Sequence, residues 1–416
     1  MLHLYRLSLL ALLLATSSLA AADWTRFRGP NGFGISEDKN IPVTFKQENF
    51  LWKTELPGKG HSSPVVSKGK IFLQTSTIDG GQRALVCVDA KTGKVEWSKE
   101  LKGTKAKIHD LNSLASCTPA ADGERVYVVF WDGKKIAFTG WDYSGKLLWT
   151  KDLGEYVSQH GPGLSPMVVG DKVILNVDQD GQAEVIAFDG KTGNEIWKKS
   201  RTAFRACYTT PFLMPNKEGG ESLVVASTAG VSMYDPKDGT SKWNWTWKFT
   251  SKMPLRNVGG PILHNGMIFA VSGDGGGDRH MVALKVDGSG EISDKNVVWE
   301  KKKGTPYVPM LLAHGDYVFW VTDKENVAVC VEAKTGKEVW QERFGRKGQV
   351  FASPVLIDGK IYSINENGIV FVFPAGPKVE LLAENDLKEP VLASPAVADG
   401  RLYIRGEKHL FCIGKK

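Results

Sequence analysis

Short apolar runs alternate with polar residues along most of the chain, and turns containing glycine or aspartate separate them. Residues 126–130 and 172–177 are typical runs, rich in valine, isoleucine, tyrosine and phenylalanine. Such residues favour strands. The turns Lys68-Gly69 and Asp399-Gly400 supply positions that tolerate positive φ. No amphipathic run beyond residue 22 is long enough for a substantial helix, so the pattern predicts an all-β protein.

One unit recurs along the chain. It opens with a small residue and a proline, continues through three apolar strands, and closes on a tryptophan after an acidic residue and a Thr-Gly or Asp-Gly turn. Successive opening prolines are 41 to 55 residues apart. The opening prolines are Pro64, Pro119, Pro166, Pro211, Pro261, Pro309, Pro354 and Pro395. The closing tryptophans are Trp52, Trp97, Trp149, Trp197, Trp243, Trp299 and Trp340, and the seventh unit closes near Leu381 without one.

Four strands in a repeat of this length are typical of propeller blades. The C-terminal unit from Ser394 lacks a fourth strand, and residues 49–56, which contain Trp52, form a strand before the first unit. We therefore predict an eight-bladed β-propeller in which this N-terminal strand completes the C-terminal blade. Closure in this way leaves no open sheet edge between the first and last blades. The domain assignment is an N-terminal arm at residues 23–48 and a single propeller domain at residues 49–416.

The first 22 residues have the order of a secretory signal peptide. Arg6 precedes the apolar residues 9–15, and Ala20, Ala21 and Ala22 follow, so cleavage is expected before Asp23. An uncleaved anchor is the alternative, but the run is far shorter than the roughly 20 apolar residues of a spanning helix. We expect an exported protein, periplasmic or secreted, that is monomeric and has no transmembrane segment. The net charge of +7 comes without a dense basic run, so no nucleic-acid partner is expected.

The repeat itself resembles a known family. Residues 89–97, 187–197 and 332–340 each carry an acid, a Thr-Gly turn and a closing tryptophan. This pattern resembles the tryptophan-docking motif of quinoprotein-type, pyrroloquinoline-quinone-like β-propeller repeats. Residues 24–32 and 60–64 are similar to a secreted bacterial branch, related to the propeller lipoprotein of the outer-membrane barrel assembly machinery. The resemblance implies that the seven closing tryptophans have a structural docking role.

The resemblance also raises the question of a cofactor. The quinoprotein alcohol dehydrogenases of this fold imply a calcium ion, a carboxylate base and a vicinal cysteine pair. No two of the five cysteines are adjacent, and no Cys-x-x-Cys-His haem motif occurs. Residues 178–181 and 274–278 place aspartates beside glycines, but they lack the ligand pattern of a calcium loop and are interpreted as turns. We expect neither a metal nor a cofactor, although pyrroloquinoline quinone with calcium stays the alternative.

The mouth of the central channel is the best place to look for a site, because the loops that enter the innermost strands converge there. The candidate mouth residues are His61, His109, Asn112, His160, Arg205, Arg256, Asn257, Tyr307 and Gln349. Five of these nine side chains are histidine or arginine, so the mouth favours an anion or a polar glycan. Hydrogen bonding between neighbouring turns is the stronger explanation of the same residues, and the three histidines leave a zinc site open.

The predicted function is an exported, non-catalytic binding or scaffold module for a protein or glycan partner. The alternative is a quinone-dependent oxidoreductase, or another enzyme with its site at the channel mouth. The tryptophans Trp243, Trp245 and Trp247 alternate along one strand, so their rings face one side. They either form an exposed patch for a partner or belong to the core between blades.

Overall fold

Eight antiparallel sheets surround a central channel in the computed structural model, which describes residues 23–30, 32–248, 256–274, 278–345 and 348–415. Each sheet is one blade, and its strands run outward from the channel in chain order in blades 1 to 7. The predicted eight-bladed all-β propeller is therefore confirmed. The predicted signal peptide, residues 1–22, lies outside the described residues.

Blades 1 to 4 share one strand order, from the innermost strand to the outermost. Blade 1 contains Val65–Ser67, Lys70–Ser76, Gln82–Asp89 and Val95–Lys102. Blade 2 contains Ala120–Ala121, Arg125–Trp131, Lys135–Asp142 and Leu147–Glu155. Blade 3 contains Met167–Val169, Lys172–Asp178, Ala183–Asp189 and Glu195–Arg201. Blade 4 contains Phe212–Pro215, Glu221–Ala226, Gly230–Tyr234 and Ser241–Thr246.

Blades 5 to 8 follow the same order. Blade 5 contains Ile262–His264, Met267–Gly273, Arg279–Lys285 and Val297–Lys301. Blade 6 contains Leu312–His314, Tyr317–Val321, Val327–Glu332 and Glu338–Arg343. Blade 7 contains Val355–Ile357, Lys360–Ile364, Ile369–Pro374 and Ala383–Asp386. Blade 8 contains Ala396–Ala398, Arg401–Arg405, His409–Gly414 and the N-terminal strand Phe50–Glu55.

The N-terminal strand closes the ring as the sequence predicts. Phe50–Glu55 pairs antiparallel with His409–Gly414, and Trp52 lies opposite Cys412. This pairing gives blade 8 its fourth strand, so the two ends of the propeller chain meet within one sheet. The sheet edge that would otherwise attract another strand is thereby occupied.

Two short strands, which the repeat pattern does not predict, extend blades 7 and 4. Ile35–Ser36 pairs in parallel with the innermost strand of blade 7, and Gly290–Glu291 pairs in parallel with the outermost strand of blade 4. The helices within the described ranges are the two single 3-10 turns Gln47–Asn49 and Asp294–Asn296. Both added strands come from connecting segments, which lack the long alternating pattern that identifies a strand in sequence.

Docking contacts between blades use the indole N–H groups of six closing tryptophans. Trp149 is representative: its Nε1 donates to the Gly190 carbonyl of blade 3 at 3.0 Å. A Cβ at Gly193 in that turn would lie only 2.5 Å from the Trp149 ring, so the ring lies directly on the Thr-Gly turn. Trp52, Trp97, Trp197, Trp299 and Trp340 make the same donation to the following blade. Trp243 differs, because its Nε1 is buried without a partner.

Replacing Trp149 by phenylalanine is expected to lower the free energy of unfolding by about 1–3 kcal/mol, because the Gly190 carbonyl loses its donor and the site loses volume. Trp243→Phe is the matched control, since that buried indole N–H has no acceptor to lose. Chemical unfolding of both variants measures the difference. Equal losses at the two positions would show that ring volume alone matters.

The start of the innermost strand requires one correction to the repeat register. Leu311, rather than Pro309, directly precedes the innermost strand of blade 6, as Pro354 does in blade 7. The residue before this position ties neighbouring blades: Met310 N–H donates to Ser353 Oγ, and Ser353 N–H donates to Ser394 Oγ. Three more hydrogen bonds of this kind follow around the ring. The backbone N–H groups of Ser394, Ser63 and Thr118 donate to the side-chain oxygens of Ser63, Thr118 and Ser165, respectively. The spacing of prolines alone could not reveal the two-residue shift.

Trp243, Trp245 and Trp247 belong to the core between blades and do not form an exposed patch. Their relative exposures are 1%, 3% and 5%. They pack with apolar residues of blades 4 and 5, including Val224 and Ile268. The structure therefore supports the interpretation that these three tryptophans belong to the core between blades.

Candidate functional site at the channel mouth

The loops that join the outermost strand of one blade to the innermost strand of the next lie at one end of the channel. This end is the mouth, and the predicted site residues fall on it. They do not form one cluster. Blades 2 to 6 bring together one set around Gln159, whereas His61 and Gln349 lie elsewhere on the rim.

Three predicted residues connect the loop before blade 2 to the loop before blade 3. Asn112 Nδ2 donates to the carbonyl of His160 at 2.7 Å. The rings of His109 and His160 meet edge to face, with their centroids 4.7 Å apart. Asn112 Oδ1 also accepts the backbone N–H of Ser113. Asn112 therefore holds the two loops together, and His109 remains exposed above it.

Gln159 lies at the centre of the other contacts, although no feature of the sequence singles it out. Its Oε1 accepts Arg256 Nη2 at 3.1 Å and Arg205 Nη2 at 3.4 Å. Arg256 is buried, and its Nη1 donates to the Ala206 carbonyl at 3.2 Å. Two arginines from successive loops thus share one neutral acceptor. No motif marks Gln159, because its importance depends on loops that are 46 and 97 residues away.

Two tyrosines complete this group. Tyr208 and the Ser158 hydroxyl are 3.0 Å apart. Burial raises the pKa of Tyr208 to about 12, and Arg256 opposes that rise. Burial likewise raises the pKa of Tyr307, against the charges of Arg256, Arg205 and Arg279. We use the name mouth cluster for Gln159, His160, Arg205, Tyr208, Arg256 and Tyr307.

The arginines at the mouth cluster lie beside the acids Asp180, Asp274 and Asp323. Asp180 accepts the backbone N–H groups of Ala206 and Gln159. Asp323 is paired with Arg279 at 2.8 Å. Burial, together with the charge of Arg256, lowers the pKa of His160 to about 4. His160 is therefore neutral at pH 7, and the charged groups of this region are its arginines and aspartates.

The remaining predicted residues occupy other positions. His61 lies beside Arg405, and burial together with that charge lowers its pKa to about 4. Asn257 is fully buried, and its Nδ2 donates to the Val271 carbonyl, which makes it part of the channel wall. The backbone N–H of Gln349 donates to Glu366 on blade 7. Asn257 also contacts the mouth cluster, because its carbonyl accepts the backbone N–H of Tyr208 at 2.9 Å.

Exposed apolar side chains lie on loops of the mouth end, and the repeat pattern of the sequence does not identify them. Val157 and Phe204 are 55% and 53% exposed, and they lie two residues before Gln159 and one residue before Arg205. We use the name apolar rim for Ile78, Leu111, Val157 and Phe204, all on loops of the mouth end and all exposed. Exposed apolar groups that adjoin a charged cluster mark interaction sites more often than isolated ones do.

Three observations bear on the calcium-bound quinone that the resemblance leaves as the alternative. Among them, no three His, Cys, Asp or Glu side chains converge as metal ligands. All five cysteines are buried and unpaired. In the loop at residues 178–181, the Asp178 carboxylate already contacts Arg201, Cys207 and Asn176 inside blade 3. In the loop at residues 274–278, residues 275–277 lie outside the described residues.

Helical structure is too short to cross a bilayer anywhere in the described ranges. No helix there has the length and apolar character that a membrane span requires.

Comparison with known proteins gives both a family and two kinds of relative. The family model for outer membrane protein assembly factor BamB matches residues 45–139, 114–342 and 296–376. BamB of Moranella endobia is 25% identical over 227 residues, 44% of this chain and 53% of that protein. Quinohemoprotein alcohol dehydrogenase ADH IIB of Pseudomonas putida is 24% identical over 319 residues, 68% of this chain and 42% of that enzyme. The matched stretches span about half of each relative.

A solved structure shows the same architecture. The crystal structure of BamB from Moraxella catarrhalis superimposes with a TM-score of 0.62 at 13% identity, covering 88% of this chain and 99% of that one. At this identity the likeness concerns the fold alone.

Proposed function

Because the chain belongs to the family of outer membrane protein assembly factor BamB, we propose that it is an exported, non-catalytic β-propeller that binds a partner protein at its channel mouth. One observation carries the proposal: the apolar rim adjoins the arginines of the mouth cluster. Val157 and Gln159 share one loop, and Phe204 and Arg205 share the next. The two loops therefore each present an apolar side chain beside a polar or charged one.

This combination suits a protein partner better than a small substrate. Protein interfaces draw most of their affinity from aromatic and arginine side chains in a region that excludes water. Phe204 is such an aromatic group, and Arg205 is half-buried beside it. Arg205 and Arg256 favour a partner segment that carries carboxylates. A glycan would use the tyrosines and Gln159 but would leave the apolar rim exposed.

Site-specific photo-crosslinking in the native organism tests the proposal. A photoreactive residue at Phe204 is expected to yield a discrete protein adduct, whereas the same residue at Ile196 is not. Ile196 is the matched control, because it is 43% exposed on the outermost strand of blade 3, away from the mouth. A carbohydrate adduct at Phe204 would support the glycan partner instead. Equal labelling at both positions would count against a mouth interface.

Charge reversal at the mouth is expected to weaken that interaction. Arg205→Glu should reduce the affinity for the crosslinked partner at least tenfold, because a like charge then faces the partner's carboxylates. The wild-type affinity should fall as salt is raised, since charge attraction contributes to it. Titration calorimetry with the purified partner measures both effects. An unchanged affinity for the variant would remove the electrostatic part of the proposal.

The second candidate function is a quinone-dependent oxidoreductase, which the similarity to ADH IIB favours. Thermal unfolding of residues 23–416 with pyrroloquinoline quinone and calcium, separately and together, tests it. A ligand at 100 times its dissociation constant adds about 2.7 kcal/mol to the free energy of unfolding. We expect no joint shift, and a clear one would direct the next assay to alcohols.

A further inference from the structure

The N-terminal arm passes through the channel between the innermost strands. Trp24 exchanges two backbone hydrogen bonds with Val66 of blade 1, at 2.8 and 2.9 Å, and the Thr25 carbonyl accepts the Ala121 N–H of blade 2. On the far side, the Leu356 N–H of blade 7 donates to the Gly34 carbonyl. These contacts all involve innermost strands. We use the name N-terminal plug for residues 24–30 and 32–36.

Two arginines show that the plug spans the channel. Arg26 Nη2 donates to the Pro211 carbonyl of blade 4 at 2.5 Å. Arg28 Nη1 donates to the Pro354 carbonyl of blade 7 at 2.7 Å, and its Nη2 donates to the Leu311 carbonyl of blade 6 at 2.9 Å. Blades 4 and 7 lie on different sides of the ring, and each accepting residue directly precedes an innermost strand. The ring therefore offers backbone carbonyls that point into its own channel.

Carbonyl oxygens, rather than carboxylates, hold both guanidinium groups. Arg28 is fully buried, and burial lowers its pKa to about 9, while burial lowers that of Arg26 to about 10. Both remain protonated at neutral pH. A planar guanidinium reaches two carbonyls of different blades at once, which a lysine ammonium on its flexible stem does not reproduce.

The plug sequence is matched to its site. A Cβ at Gly34 would lie 2.5 Å from Arg28 Nη2, and Gly34 has φ of +74°. A Cβ at Gly29 would lie 2.8 Å from the Trp24 ring, which is itself buried. Phe33 packs edge to face on Phe212 of blade 4, with centroids 5.2 Å apart. An aromatic residue and alternating arginines, followed by glycines, therefore form one compact unit.

We infer that the channel interior, between the innermost strands, is a peptide-binding site, and that residues 24–30 and 32–36 occupy it in cis. The site takes an extended peptide of aromatic-x-Arg-x-Arg-Gly character, which it recognises through innermost-strand backbone groups and the channel carbonyls. The inference does not depend on the proposed function, because it concerns the channel interior and not the loops that present the apolar rim.

The connection between plug and ring can be cut without removing either. Glu37, Lys39 and Asn40 are exposed, and Ile41 and Phe45 beyond them are buried in the core shared by blades 7, 8 and 1. A protease recognition sequence inserted between Lys39 and Asn40 therefore lies in a surface segment. The full chain folds first, and cleavage then makes the plug a separate peptide.

After cleavage, the plug is expected to co-elute with the ring in size-exclusion chromatography. A fluorescent synthetic peptide of residues 23–39 should exchange into the nicked protein. The same peptide with Arg28→Lys should bind about 100-fold more weakly, because it loses a buried guanidinium held by two blades. A peptide with Lys39→Arg is the matched control, since that exposed residue makes no contact on which the site depends, and its affinity should be unchanged.

Three results would overturn the inference. The first is release of the nicked plug with no change in the melting temperature of the ring. The second is equal binding of the wild-type and Arg28→Lys peptides. The third is failure of the labelled peptide to exchange even at urea concentrations just below the unfolding transition, where a bound peptide dissociates before the ring unfolds.

Discussion

Replacing Arg201 by methionine is expected to lower the free energy of unfolding by about 3–5 kcal/mol at pH 7, because a buried carboxylate loses its cation. Arg201 Nε lies 3.6 Å from Asp178 Oδ1, and the two side chains are 3% and 0% exposed. Asp178 Oδ2 also contacts Cys207 Sγ at 2.7 Å and Asn176 Nδ2 at 3.3 Å. These neighbours are uncharged, so they cannot replace the arginine. Chemical unfolding measures the loss.

The pH dependence of this variant supplies a second test. Burial raises the pKa of Asp178, and Arg201 is the largest influence that opposes the rise. Without Arg201 the folded-state pKa rises further above that of an unfolded aspartate, about 3.9. The folded state then binds a proton more readily than the unfolded state, so the variant should regain stability as the pH falls from 7 towards 5. A loss that is independent of pH would contradict this account.

Lys198→Met on the same strand is the matched control for Arg201→Met. Lys198 Nζ lies 3.7 Å from Glu184 Oε1, and the lysine side chain is 44% exposed. Water screens such a pair, so its loss is expected to change the free energy of unfolding by no more than about 0.5 kcal/mol. Burial, rather than charge pairing itself, distinguishes the two positions.

The architecture could be predicted from sequence because each blade repeats one local pattern. The acid, the Thr-Gly turn and the tryptophan of residues 189–197 lie within one hairpin, so their spacing is readable without knowing the rest of the fold. Ring closure was predictable for a related reason: Phe50–Glu55 had no blade of its own, and blade 8 lacked a strand. Local periodicity and the count of strands were sufficient for both conclusions.

The interaction sites were harder to predict because they depend on contacts between distant loops. Gln159 joins arginines from two later loops, and nothing in its own segment marks it. The path of the N-terminal plug depends on carbonyls such as Pro354, which is 326 residues from Arg28. Every residue has a carbonyl, so sequence contains no signal for such an acceptor. The histidines and arginines in these loops indicated that the mouth is the candidate site, but they did not indicate which of these side chains contact one another.

Gly230→Ala is expected to destabilise blade 4 by more than about 3 kcal/mol, the upper end of the usual cost of overpacking a core. A Cβ at Gly230 would lie 1.8 Å from the backbone oxygen of Trp245. A backbone atom inside a sheet cannot move aside as a side chain does, and Trp245 is buried between blades 4 and 5. Relief would require the strand Gly230–Tyr234 to separate from Ser241–Thr246, to which it is paired.

Gly376→Ala is the matched control, since a Cβ there meets nothing within 4 Å and its φ lies outside the positive range. That variant is expected to unfold as the wild type does, within about 0.5 kcal/mol. Hydrogen exchange locates the damage in Gly230→Ala: protection should fall first in the two outer strands of blade 4. The third and fourth strands of the blade also carry the Trp243, Trp245 and Trp247 core, so the loss should spread to blade 5. Destabilisation confined to the turn before Gly230 would mean that the strand pair yields locally and that the clash is relieved without separating the blade.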